Sequence, residues 1–72
     1  MNILEVFGKN LRYYRTSQKL SQEKFAEMCG LHRTYISDIE RGQRSISIGN
    51  VQKIADALGI QAYKLFIENS ND

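Results

Sequence analysis

The chain has no proline, no tryptophan, and only one cysteine and one histidine in 72 residues. A single cysteine excludes an intrachain disulfide, and a reducing compartment fits that usage best. Cys29, between Met28 and Gly30, reads as a small buried apolar residue rather than a reactive thiol. His32 stands alone, with no second histidine or cysteine at ligand spacing, so no metal site is expected. No acidic pair, thiolate–imidazole pair or phosphate-cradling glycine loop can be drawn, and a chain this short rarely encloses a pocket. Neither an enzyme nor a cofactor is therefore expected. No apolar run approaches the length of a membrane span. The N-terminus lacks the charged-then-apolar order of a secretion signal. The expected location is the cytoplasm.

What is present suits one small domain over residues 1–72, with residues 69–72 expected to fray. Hydrophobic residues make up 42% and charged residues 25%, which argues against wholesale disorder. A core of this size is modest, and association with a second copy is a common remedy. The net charge is +2, unevenly spread. Residues 12–44 carry seven basic side chains against four acidic ones, whereas residues 45–72 carry two against three. The basic excess points to an anionic partner on one face.

Periodicity predicts five helices and no strand. The first covers about 3–18, with Leu4, Phe7, Leu11 and Tyr14 at helical spacing and Gly8 as a slight weakness. The second opens at Ser21, a good N-cap, and runs to about 28, where Gly30 stops it. The third covers about 33–40 and is closed by Gly42. Ser47 suits the N-cap of a fourth, to about 58. The fifth covers about 61–68.

The second and third segments are joined by a glycine turn, the arrangement of a helix-turn-helix. A steep helix crossing needs a small residue, and Ala26 supplies it. The turn needs a residue free of Cβ strain, and Gly30 supplies that. Phe25, Cys29, Leu31, Ile36 and Ile39 can anchor both helices to a core. The bland alternative is an ordinary pair of core helices, and agreement at all seven positions favours DNA binding over it.

The stretch LSQEKFAEMCGLHRTYISDIERG, with IADALGI and KLF beyond it, resembles the phage-repressor and Cro-like (XRE-type) helix-turn-helix family. The resemblance implies an all-α fold of five helices around one core, with the third in the DNA major groove and its first residues at the base edges. HRTYISDIERGQR is similar, more narrowly, to the recognition segment of the controller proteins of bacterial restriction–modification systems. That implies a homodimer that regulates its own gene and the endonuclease gene by occupying an operator. Ser45 departs from the pattern, which has asparagine after the arginine at the place of Arg44.

The resemblance makes the roles of single residues specific. Arg33 and Thr34 come first on the third helix. Arginine can bond guanine O6 and N7 together, and threonine offers a hydroxyl and a methyl. Ser37 can reach a base or the backbone. Asp38 can accept from a cytosine amine, pair with Arg41 at i,i+3, or bond Thr34 at i−4. Tyr35 either sends its hydroxyl to a phosphate or lies mostly in the core. Gln22 matches a family glutamine that holds a phosphate from a helix start. Arg41, Gln43, Arg44 and Ser45 lie where the family's loop meets the backbone, and Arg44 can also enter the minor groove. Arg15 and Glu40 match an arginine–glutamate pair that fixes how the third helix sits.

The fourth and fifth segments have more apolar positions than one small core absorbs. Tyr63, Leu65, Phe66 and Ile67 are expected to form a two-fold interface. Such a dimer presents its recognition helices about 34 Å apart, so the operator is expected to be a pseudo-palindrome. The alternatives are another small phage-type repressor, or an antitoxin-like module that binds protein. The antitoxin needs an extra segment for its toxin, and only the four residues after Glu68 are spare.

Overall fold

The computed structural model describes residues 1–68; the frayed tail expected over 69–72 lies outside them. Three of the four α-helix starts have a side-chain cap. Asn2 precedes α1 (Ile3–Ser17), and its Oδ1 accepts from the N–H groups of Leu4 at 3.0 Å and Glu5 at 3.4 Å. Ser21 caps α2 (Gln22–Cys29) by accepting from Lys24 N at 3.0 Å. Ser47 caps α4 (Ile48–Leu58) by accepting from Asn50 N at 3.1 Å. Only α3 (Arg33–Glu40) starts without a side-chain cap; its N-cap residue is His32. Gly30 and Gly59 end α2 and α4 at φ 72°, the left-handed conformation that costs glycine nothing.

The fifth segment corrects the expected five helices to four α-helices among the described residues. Ala62–Phe66 is a single 3-10 stretch, and Ile67 is already extended. The side chain of buried Asn10 on α1 caps the end of this stretch. Its Nδ2 donates to the carbonyls of Leu65 and Ile67, each at 2.9 Å. Five residues are too few to hold an α-helix by themselves. A second amide fastens the far end of α1: Gln18 Nε2 donates to Leu58 O at 2.8 Å.

Phe7, Leu11, Phe25, Ile36, Ile39, Ile54 and Leu65 form the centre of the core, with α1 packed on α3 and on the 3-10 stretch. Leu65 is 0% exposed, so it is withdrawn from the expected dimer surface. In a 3-10 stretch residues three apart share a face. Ala62 and Leu65 therefore turn inward, while Tyr63 and Phe66 stay exposed.

Gly8 is more than a weak point in α1. A Cβ there would run into the carbonyl oxygen of Ile39 and lie 2.8 Å from that of Glu40. Glycine is what lets α1 approach the last turn of α3. Gly8→Ala should raise intrinsic helix propensity by about 1 kcal/mol. It is nonetheless expected to lower stability by about 1–3 kcal/mol, because backbone, not a flexible side chain, must move. Urea unfolding checks this; an unchanged or raised midpoint would show that the helices separate without cost.

Candidate nucleic-acid interface

The turn between α2 and α3 is closed by backbone bonds. Leu31 N donates to Ala26 O at 2.9 Å, and Gly30 N donates to Glu27 O at 3.2 Å. Ala26 is buried and Leu31 packs against the core, so the turn is held from below. Ile36 and Ile39 bury one side of α3. That orientation leaves Arg33 and Thr34 exposed at its front. Among the described residues neither side chain has an ion pair or hydrogen bond, so both are available to a partner.

Tyr35 belongs to both faces. Its ring is half-buried against the core, its hydroxyl accepts from Asn50 Nδ2 at 2.9 Å, and the Arg44 guanidinium lies 4.7 Å from its ring centre. A cation over an aromatic face is attractive. His32, Thr34, Tyr35, Arg44 and Asn50 thus line an open cleft where α3 meets the start of α4. The hydroxyl proton of Tyr35 and the guanidinium of Arg44 both reach it, so it is a place for a phosphate oxygen.

At the other end of α3 the charged side chains hold one another. Arg41 donates from Nη1 to Ser37 Oγ at 2.8 Å, from Nη2 to Asp38 Oδ1 at 2.6 Å and from Nε to Gln43 Oε1 at 3.3 Å. Arg44 Nη1 lies 3.6 Å from Asp38 Oδ2. Of the three roles the sequence leaves open for Asp38, the structure contains the i,i+3 pairing. Both of its oxygens face arginine rather than standing ready for a cytosine amine. Ser45 is exposed and lines a separate groove with Ile3, Ile46, Ile48 and Phe66.

Beneath this face lies the Arg15–Glu40 pair. Arg15 Nε donates to Glu40 Oε2 at 2.6 Å and Nη2 donates to Oε1 at 3.0 Å, a bidentate fork with side chains 10% and 4% exposed. Arg15 Nη1 also donates to Leu20 O at 2.6 Å. Gln22 Nε2 donates to Glu40 Oε1 at 3.0 Å. One buried knot therefore ties α1, the start of α2 and the end of α3. Gln22 thus gives one of its two amide N–H bonds to the protein interior, and its second amide N–H is not engaged by that bond. Among the described residues no buried side-chain polar atom lacks a partner.

Sequence reasoning missed Asn50. It sits in the first turn of α4, and only the tertiary fold brings it to Tyr35, 15 residues earlier; no local pattern signals that. Cys29 is buried, and desolvation pushes its thiol from 9.0 to about 11, so it stays protonated and unreactive near neutral pH. Among the described residues no group of His, Cys, Asp and Glu is placed to hold a metal, and no helix is long and apolar enough to cross a membrane.

Comparison with known proteins gives this geometry a family. A helix-turn-helix family model matches residues 11–65. The control protein C.BamHI of Bacillus amyloliquefaciens is 56% identical over 61 residues, covering 83% of this chain and 75% of that one. The crystal structure of the restriction–modification controller protein C.AhdI from Aeromonas hydrophila superimposes with a TM-score of 0.85 at 48% identity, covering 88% of this chain and 96% of that one. The controller protein C.Esp1396I, solved as a tetramer in complex with its natural 35-base-pair operator, superimposes with a TM-score of 0.82 at 29% identity, covering 92% of this chain and 87% of that one. The chain belongs to the helix-turn-helix family and, within it, to the restriction–modification controller proteins.

Proposed function

We propose that the protein is a sequence-specific DNA-binding transcriptional regulator of the cytoplasm. It acts as a homodimer on a pseudo-palindromic operator and controls its own gene and that of a restriction endonuclease. The observation that carries this is the front of α3. Arg33 and Thr34 stand exposed and unengaged among the described residues, on a helix whose tilt is set by a buried bidentate pair. A chain with no use for a groove has no reason to aim two unpaired polar side chains from so firmly held a helix. The operator complex of C.Esp1396I supports the same use of the fold.

Arg33, Thr34 and Ser37 meet base edges, with Asp38 beside them. Gln22, the hydroxyl of Tyr35, and Arg41, Gln43, Arg44 and Ser45 meet phosphates. The dimer forms through exposed apolar side chains, for which the groove lined by Ile3, Ile46, Ile48 and Phe66 offers the least polar surface. No cofactor, metal or catalytic step is needed.

Footprinting over the DNA upstream of the gene, with a random-site selection beside it, tests the reading. Salt-sensitive, two-fold symmetric protection is expected; no protection and no selected site would refute it. Arg33→Ala is expected to relax preference at one base position of each half-site and to cost about 1–3 kcal/mol there, with little change on random DNA. Equal weakening on every sequence would move Arg33 to the phosphates.

A further inference from the structure

The odd group on the proposed DNA face is an anion. Asp38 sits on the exposed side of α3, only 25% exposed itself, and holds two arginines that are 56% and 52% exposed. Its oxygens lie 2.6 Å from Arg41 Nη2 and 3.6 Å from Arg44 Nη1. Arg33, one turn earlier, has no such counter-charge among the described residues. Among the described residues the face therefore carries one arginine without a counter-charge and two that share a single carboxylate. A protein built only for tight DNA binding gains nothing from a carboxylate there, since it repels phosphates and competes for the arginines.

We infer that Asp38 is a specificity-determining residue that suppresses binding to non-operator DNA by holding Arg41 and Arg44 in one fixed geometry. The inference rests on the DNA-binding reading above and adds a discriminating role to it. The five N–H bonds of a guanidinium decide how this works. In Arg41 one is given to Gln43, one to Ser37 and one to Asp38, so two remain, both directed by the clamp. A phosphate that arrives where those two point can be bonded without breaking anything. That happens when α3 is seated at the one depth and register of the operator. Non-specific complexes form at many offsets, and most of their binding energy is phosphate charge. To reach phosphates at those offsets the arginines must swing, which breaks the bonds to Asp38 and leaves its charge beside the DNA. The carboxylate therefore weakens wandering contacts more than registered ones. Arg44 is under a second restraint of the same sense, the Tyr35 ring 4.7 Å away.

The test measures affinity and salt dependence of the parent, Asp38→Asn and Asp38→Glu on two duplexes: one of random sequence, and one recovered by random-site selection with the parent. Asp38→Asn keeps the size and an accepting oxygen but loses the charge. It is expected to tighten binding to the random duplex about tenfold and to the selected duplex no more than about threefold. The salt slope on the random duplex should steepen by about one per protomer. Asp38→Glu restores the charge and is expected to return both affinities toward the parent's. The inference is overturned if Asp38→Asn leaves the random duplex unchanged or tightens both duplexes equally. It is also overturned if only the selected duplex weakens, which would assign Asp38 to a base. A parent that binds neither duplex in a salt-sensitive way would instead refute the DNA-binding reading itself.

Discussion

Arg15→Ala is expected to lower the stability of the fold by about 3–5 kcal/mol and to abolish operator binding, although Arg15 lies behind the recognition helix. The size follows from what is left behind. Glu40 is 4% exposed in its side chain, so removing the guanidinium strands a carboxylate in a place where water cannot reach it. Leu20 O loses its donor as well, and only the Gln22 amide remains to Glu40. A domain of this size has little stability to spare. Denaturant unfolding with circular dichroism measures the loss directly. A drop of under about 1 kcal/mol would mean the pair is no better than a surface one.

The same pair offers a way to separate stability from aim. Replacing both partners together, Arg15→Met with Glu40→Leu, removes the stranded charge and is expected to recover most of the stability, because apolar pairs commonly match buried ion pairs. Operator binding is not expected to recover with it. A bidentate fork has one geometry, whereas methionine and leucine allow α3 to settle at several tilts. Gly8 permits the close approach of α1 to the end of α3, and the fork then sets the angle. Full operator affinity in the double variant would show that packing alone orients the helix.

Much of this was legible in the chain. Ala26 and Gly30, one turn apart on either side of a helix end, are local demands of a tight helix crossing, and local demands are written locally. The serine caps at Ser21 and Ser47 are equally direct. What was not legible depends on contacts far apart in sequence. The apolar density of Tyr63, Leu65, Phe66 and Ile67 reads as helix, yet the stretch is a short 3-10 segment whose last carbonyls are taken by Asn10, 55 residues before Leu65. Leu65 is turned into the core while Tyr63 and Phe66, on another side of the same stretch, stay exposed. Gly8 shows only its intrinsic cost in the sequence, because the carbonyls it clears belong to another helix. The pairing of Asp38 with Arg41 was one of several local options, and the loop that swings Arg44 back over α3 could not be foreseen from spacing.

The apolar surface was also redistributed, and this leads to the second large effect. Phe66 is 39% exposed, rests its ring 5.2 Å from that of Phe7, and shares a groove with Ile3, which is 44% exposed, and Ile48, which is 88% exposed. Tyr63 and Ile67 instead line a more polar cleft with Tyr13 and Tyr14. The two sets line different grooves, and in the proposed dimer the Ile48 groove has more to gain from cover. Burying one isoleucine is worth about 1.5–3 kcal/mol, and a two-fold interface counts it twice. Ile48→Asp is therefore expected to raise the dimer dissociation constant at least about a hundredfold, leaving a monomer at tens of micromolar. Its fold should be kept. Ile48 is the first residue of α4, where an acidic side chain favours the helix end. Operator affinity should fall steeply with the dimer, since the two half-sites no longer share one ligand. Sedimentation of Ile48→Asp beside Ile67→Asp decides between the faces: a dimeric Ile48→Asp with a monomeric Ile67→Asp would move the interface to the tyrosine cleft.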